Sequence, residues 1–233
     1  MEKRNLPSFS IRDGIRVFDF SAPSSWEELQ EDELRYILSV LTLFPNLTVA
    51  KCYVLARFCG IKVLKYTRTG WKCSVLCLSR KGKKKREVMY LNEAEILDLL
   101  KNFDFIEDYT NYKPLDRCAK LYAVDRLIKN VTFLDYLQLE KNYQLYLIHK
   151  EDKFLQKMGW ILYRDEAGKS DKTAIFLPFE LLNVFMWFSS VKGYLAVNFP
   201  HFFKPAKEGG ELKQEDLMPA MQAQIRALTD GDI

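Results

Sequence analysis

Histidine is nearly missing from this chain: His149 and His201 are the only two in 233 residues. A zinc site needs nitrogen or sulfur ligands gathered at close spacing, and neither histidine lies near a cysteine in sequence. The five cysteines, Cys52, Cys59, Cys73, Cys77 and Cys118, are odd in number and contain no CxxC pair. Most sit among apolar neighbours, so they read as reduced, buried thiols of a cytoplasmic protein. Cys73 and Cys77 on one strand would share a face but lie too far apart along it to bridge. Glycine contributes ten residues, few of them clustered. No phosphate-cradling loop is apparent, and the motifs GxxxxGKS, GxxxxGKT, GxGxxG, GxSxG and HExxH are all absent. The expectation is a non-enzymatic protein with no catalytic residues, no metal and no cofactor. His149, at a helix end where a cation favours the dipole, and His201, after Pro200, are expected to be structural.

A long uncharged hydrophobic run is also lacking. The most apolar stretch, Ile175 to Phe203, is interrupted by Glu180, Asn183, Lys192 and Asn198 and bounded by Pro178 and Pro200. A membrane helix needs roughly 20 mostly apolar residues without charge, so this stretch reads as a buried core helix. No apolar run follows the charges of the first residues, so a signal peptide is not expected there. There is no internal repeat and no low-complexity tract.

What is present is apolar and aromatic: 48% hydrophobic residues and 14% Phe, Trp and Tyr, enough for a substantial core. The net charge of +4, from 35 basic and 31 acidic residues, is too balanced to imply a nucleic-acid partner from charge alone. Along the chain, Ile15–Phe20 reads as a strand. Ser25-Trp26-Glu27-Glu28 fits a capping box, followed by Leu34, Ile37, Leu38, Leu41 and Phe44 at helical spacing. Pro45-Asn46 breaks that helix, and a second one, about 48–58, stops at Gly60. Three strands follow, Ile61–Tyr66, Trp71–Ser79 and Glu87–Leu91, as an antiparallel meander with Trp71, Cys73, Val75 and Cys77 on one face. Asn92-Glu93-Ala94-Glu95 caps a helix that buries Ile96, Leu97, Leu100 and Phe103. The stretch 104–114 reads as loop and 115–130 as helix. Thr132 caps a helix from Phe133 to about His149. Phe154, Leu155, Met158, Ile161 and Leu162 mark another helical face. A polar loop over 164–172 precedes the aromatic helix Pro178–Val197, apolar nearly all round and therefore central.

The predicted fold class is α+β and mostly helical, with a small three-stranded antiparallel meander flanked by helices. The predicted organisation is an α+β domain over 1–107, a helical region over 108–205, and a linker with a C-terminal amphipathic helix over 206–233. A single domain over 1–205 is the alternative.

Four further features stand out. The loop Arg80-Lys81-Gly82-Lys83-Lys84-Lys85-Arg86 is cationic at six of seven positions. It reads either as a solvated hairpin tip that deters edge pairing or as a phosphate contact through Arg80, Lys81, Lys83, Lys84, Lys85 and Arg86. Glu27, Glu28, Glu31, Asp32 and Glu33 stand early in a helix, where carboxylates favour the dipole. Phe185, Trp187, Phe188, Tyr194, Phe199, Phe202 and Phe203 read as core, with a ligand pocket or a partner surface as the alternative. Beyond Gly209-Gly210, Leu217, Met221, Ile225 and Leu228 form a thin apolar stripe. A stripe of that kind must dock on its own domain, on another copy, or on a different protein.

The segments Phe185-Met186-Trp187-Phe188-Ser189-Ser190-Val191-Lys192-Gly193-Tyr194-Leu195 and Asn198-Phe199-Pro200-His201-Phe202-Phe203-Lys204-Pro205 resemble proteins of prophages and mobile elements of gut Bacteroidales. The closing Gln224-Ile225-Arg226-Ala227-Leu228-Thr229-Asp230-Gly231-Asp232 is similar to a segment of the same group. The resemblance covers mainly residues 176–233. Those proteins are encoded among tail-morphogenesis genes, in the place of a tail assembly protein. The resemblance implies a phage-derived assembly or structural protein acting through protein–protein contacts or self-association. The alternative expectation is a nucleic-acid-binding accessory protein using Arg80–Arg86.

Overall fold

Capping decides where the first helices begin, and the structure, a computed structural model describing residues 6–13, 16–78 and 84–199, relocates the first of them. Ser25 precedes only a 3-10 turn, Trp26–Glu28, and makes no capping bond with its side chain. Glu28 instead accepts from the backbone N–H of Ser24 at 2.7 Å. The helix α1, Glu31–Leu43, starts three residues later, with the Gln30 N–H donating to Glu33 Oε2 at 2.9 Å. The cause is tertiary: Trp26 and Leu29 are both buried, and Trp26 Nε1 donates to the Asp108 carbonyl at 2.7 Å. Holding both side chains inward leaves Leu29 extended and delays the helix.

Among the described residues there are six α-helices and three small antiparallel sheets, an α+β fold richest in helix. The chain forms two compact units that divide after Asp108.

In the first unit, β1 (Ser8–Asp13) and β2 (Arg16–Ser21) form a hairpin with Ile11 opposite Phe18 and Phe9 opposite Phe20. The sequence reading had only the second of these strands. Helix α1 buries Leu34, Ile37, Leu38 and Val40. Asn46 then accepts from Val49 N and opens α2, Leu47–Phe58. Gly60, at φ +60°, ends it in the left-handed conformation. Lys51 on α2 is buried, and its ammonium donates to Asp104 at 2.6 Å and to Glu107. Burial opposes its charge, but the two hydrogen bonds outweigh it and the pKa is raised. The stability from this group is present below its unfolded pKa and is lost as pH rises through the folded one.

The meander consists of β3 (Lys62–Thr67), β4 (Gly70–Leu78) and β5 (Lys84–Asn92), paired in that order. Gly70 has φ +146°, and a Cβ there would stand 1.9 Å from the Leu91 carbonyl oxygen, so only glycine fits this turn. Cys73, Val75, Met89 and Leu91 are buried on the inward face. Helix α3, Glu93–Leu100, has the expected box: Asn92 Oδ1 accepts from Glu95 N, and Glu95 accepts from Asn92 N. It buries Ile96, Leu99 and Leu100, with Phe103 beyond. Leu97, expected in the core, is half exposed because the buried stripe runs i, i+3, i+4, i+7 from Ile96 and leaves it to one side. The expected loop after Phe103 begins as a 3-10 segment, Lys101–Glu107, that buries Phe103 and Ile106.

In the second unit, the expected helix over 115–130 is absent. The segment holds β6 (Arg117–Cys118) and β7 (Leu121–Ala123), with Ala119 and Lys120 at φ +47° and +68° between them. Tertiary partners override helix propensity here. Leu115 N donates to Asn183 Oδ1, and Ala119 N donates to Glu180 Oε1. Asp125 accepts from Leu127 N and Lys129 N in a local turn. Thr132 caps α4, Phe133–His149, as expected. Then α5 (Asp152–Leu162) leads into β8 (Tyr163–Arg164), which pairs with β7. Helix α6, Pro178–Asn198, buries Leu181, Val184, Met186, Trp187, Phe188 and Val191. Its buried residues end there: Tyr194, expected in the core, and Val197 face solvent. None of the described helices is long and apolar enough to cross a membrane.

Candidate functional site

Polar groups gather at three places in the described residues. The first is the buried hub of the second unit. Asn183 is wholly enclosed; its Oδ1 accepts from Tyr112 Oη and Leu115 N, both at 2.9 Å. Its Nδ2 donates to Tyr163 Oη at 2.7 Å, and Tyr163 Oη donates to the Leu115 carbonyl at 2.8 Å. Burial pushes the Tyr163 phenol well above its ordinary pKa. The donors and acceptors in this chain of bonds are satisfied by one another and by backbone, so its job is to hold residues 112–118 onto α6. Further along the same helix, Lys192 on α6 donates to Glu140 Oε1 on α4 at 2.5 Å, and the same oxygen accepts from Gln144 Nε2.

The second place is an open cleft of about 500 Å³ in the second unit, lined by residues that include Asp135, Lys157, Trp160, Arg164 and Lys172. Its walls are internally tied. Arg164 pairs with Asp135 at 3.4 Å, Trp160 Nε1 donates to the Ala174 carbonyl, and Lys157 lies over the Phe154 ring.

The third place is the outward face of the meander. Register sets Lys65 opposite Lys72, Lys72 opposite Tyr90, and Leu76 opposite Arg86, while Ser74 lies between Lys62 and Val88. Lys72 Nζ stands 5.7 Å from the Tyr90 ring centre, and Arg86 Nη1 donates to Ser74 Oγ at 3.2 Å. Leu76, Val88 and Tyr90 are exposed there.

Of the basic-loop residues, Arg80, Lys81 and Lys83 lie outside the described residues, and Lys84 opens β5. Lys85 pairs with Glu87 at 3.6 Å, whereas Arg86 bonds Ser74 on the other face. Successive strand residues point to opposite faces, so these two cations do not form one patch. His201, Phe202, Phe203, Leu217, Met221, Ile225 and Leu228 lie outside the described residues, as do the expected linker and last helix. His149 ends α4, exposed and stacked on Phe154. The early acidic cluster is spread over local roles: Glu28 on Ser24, Glu33 on Gln30, and Glu31 on Arg35. Among the described residues no three His, Cys, Asp or Glu side chains are grouped to hold a metal. Of the aromatic set, Trp187 and Phe188 are core, Phe185 is half-buried against Tyr143 and Tyr146, and Tyr194 and Phe199 are exposed.

The sequence reading missed the meander's outward face because it treated the loop alone. A signal was present. Ten of the 35 cationic residues and one of the 31 acidic ones fall between Ile61 and Asn92, leaving 25 against 30 elsewhere.

No family model matches the chain, and no curated protein or solved structure is significantly similar to it.

Two expected results concern these surfaces. Cys52, Cys59, Cys73 and Cys118 are free thiols, and burial pushes Cys59 up to about 12, which leaves almost no thiolate at neutral pH. Native mass spectrometry should show five thiols and no zinc; a disulfide or one zinc per chain contradicts this. Replacing Lys83, Lys84 and Lys85 together with serine should change unfolding free energy by less than about 1 kcal/mol. A larger loss in denaturant titration would mean that the run supports the fold.

Proposed function

We propose that the chain is a non-enzymatic, phage-derived assembly or structural protein that acts by binding other proteins. The observation that carries this reading is the end of α6. The buried residues of the helix end at Val191, and beyond it Leu195 and Ala196 are half-buried while other apolar side chains are open. Tyr194, Val197 and Phe199 are 43%, 80% and 46% exposed. Fully burying a Val or Phe side chain is favourable by about 1.5–3 kcal/mol, and aromatic residues are enriched where proteins meet. These three residues also lie in the stretch that resembles tail-encoded prophage proteins, which supports the same reading.

The test uses the whole chain, Val197→Asp with Tyr194→Asp, and a deletion of residues 211–233. Light scattering measures self-association, and co-purification measures binding to proteins encoded beside it. Both changes should weaken whichever association the intact chain shows, while cooperative thermal unfolding persists in each. An intact chain that is monomeric and retains no co-encoded protein overturns the proposal. If the deletion abolishes cooperative unfolding, the last segment belongs to the core and its binding role is lost. Tail genes as neighbours favour the proposal; replication or transfer genes count against it.

A further inference from the structure

We infer that the outward face of the β3–β4–β5 sheet binds single-stranded nucleic acid, with Lys62, Lys65, Lys72 and Arg86 meeting phosphates and Tyr90 stacking on a base. This site is distinct from the apolar end of α6, and its row of Lys65, Lys72 and Tyr90 across the three strands lies outside the loop at 80–86.

Charge is the first argument. The register places these four cations on one face, and the other side chains described there are neutral. The nearest carboxylate in β5, Glu87, points to the opposite face and is paired with Lys85. The meander's excess of nine cations sits in a chain whose remaining residues are net acidic. Neighbouring strands lie about 4.8 Å apart, so the cations on adjacent strands form a compact positive field. Lysine is depleted where proteins meet, so a lysine-bordered face suits a polyanion better than a protein.

Shape and aromaticity choose the polyanion. Tyr90, on the edge strand β5 and opposite Lys72, keeps 57% of its surface open. Lys72 Nζ lies over its ring, 5.7 Å from the centre, and Arg86 is held to the sheet by Ser74. Duplex grooves admit a helix or a two-stranded ribbon rather than the face of a three-stranded sheet. An open sheet face with an exposed ring among cations matches unpaired bases, which stack on aromatic side chains while their phosphates are tracked by Lys and Arg.

Fluorescence anisotropy of the full chain decides the matter, with labelled oligo-dT, oligo-rU and a duplex, each about 20 nucleotides or base pairs long, at about 50 and 200 mM salt. The single strands should bind more tightly than the duplex, with a steep salt dependence. Tyr90→Ala should weaken single-strand binding by about tenfold or more and leave the salt slope unchanged, while Tyr90→Phe retains affinity. Lys65→Ser with Lys72→Ser should reduce the slope by about 0.7 for each phosphate no longer neutralised. Lys153→Ser with Lys157→Ser removes equal charge elsewhere and should do much less. Tighter dT than rU binding identifies DNA as the ligand, and the reverse identifies RNA. Thermal unfolding confirms that each variant is folded; if Tyr90→Ala is not, Tyr90→Leu replaces it. No binding at low salt overturns the inference. So does equal affinity for the duplex with a neutral Tyr90→Ala. Binding that survives Lys65→Ser with Lys72→Ser but is lost when Lys83, Lys84 and Lys85 become serine also overturns it, and assigns the binding to the loop.

Discussion

Replacing Trp187 with alanine is expected to cost about 3–5 kcal/mol of unfolding free energy. Trp187 has no exposed surface, and its indole Nε1 donates to the Arg126 carbonyl at 2.7 Å. Its ring meets Tyr163 edge-on at 5.6 Å. Alanine removes the apolar packing, leaves a cavity beside Tyr163, and takes the hydrogen bond from Arg126. Phenylalanine at the same position refills most of the volume but not the bond, so Trp187→Phe should fall between wild type and alanine. Urea titration followed by circular dichroism measures both. A loss below about 1 kcal/mol for alanine would mean that Trp187 is accessible, and α6 would not be the core element described above.

Asn183→Leu is expected to cost about 2–6 kcal/mol although it nearly preserves volume, because each buried group left unpaired costs about 1–3 kcal/mol. Leucine offers no acceptor to Tyr112 Oη or Leu115 N, both of which bond Asn183 Oδ1. Tyr163 Oη keeps its bond to the Leu115 carbonyl but loses its donor from Asn183. A double-mutant cycle with Tyr112→Phe isolates the mechanism. Once Tyr112 has no hydroxyl to strand, the leucine should cost less, so the double variant should be more stable than the two single losses added together. Additive losses, or a single loss under about 1 kcal/mol, would mean that water serves these groups and that Asn183 is not what holds residues 112–118 in place.

Local patterns carried much of the architecture into view. Thr132 and Asn92 cap the helices that their hydroxyl and amide groups announce, and Gly60 stops α2, because those signals act within one turn of backbone. The meander was legible from its β-branched and aromatic runs. Ser25 announced a cap that failed, because the burial of Trp26 and Leu29 reset the chain direction before the helix began. The candidate nucleic-acid face was half legible: its cations are visible in the sequence, but their gathering required a register.

From its sequence alone, the chain's class was determined: an α+β protein, mostly helical, with a three-stranded meander and a helix beginning at Pro178. These properties follow from periodicity, capping and turn chemistry, which each residue exerts on its near neighbours. The tertiary structure decided that 115–130 would be strands and turns, because Asn183 and Glu180, more than sixty residues away, take its backbone N–H groups. It also decided that Lys65, Lys72 and Tyr90 would stand side by side, because strand pairing, not sequence distance, determines which charges share a face.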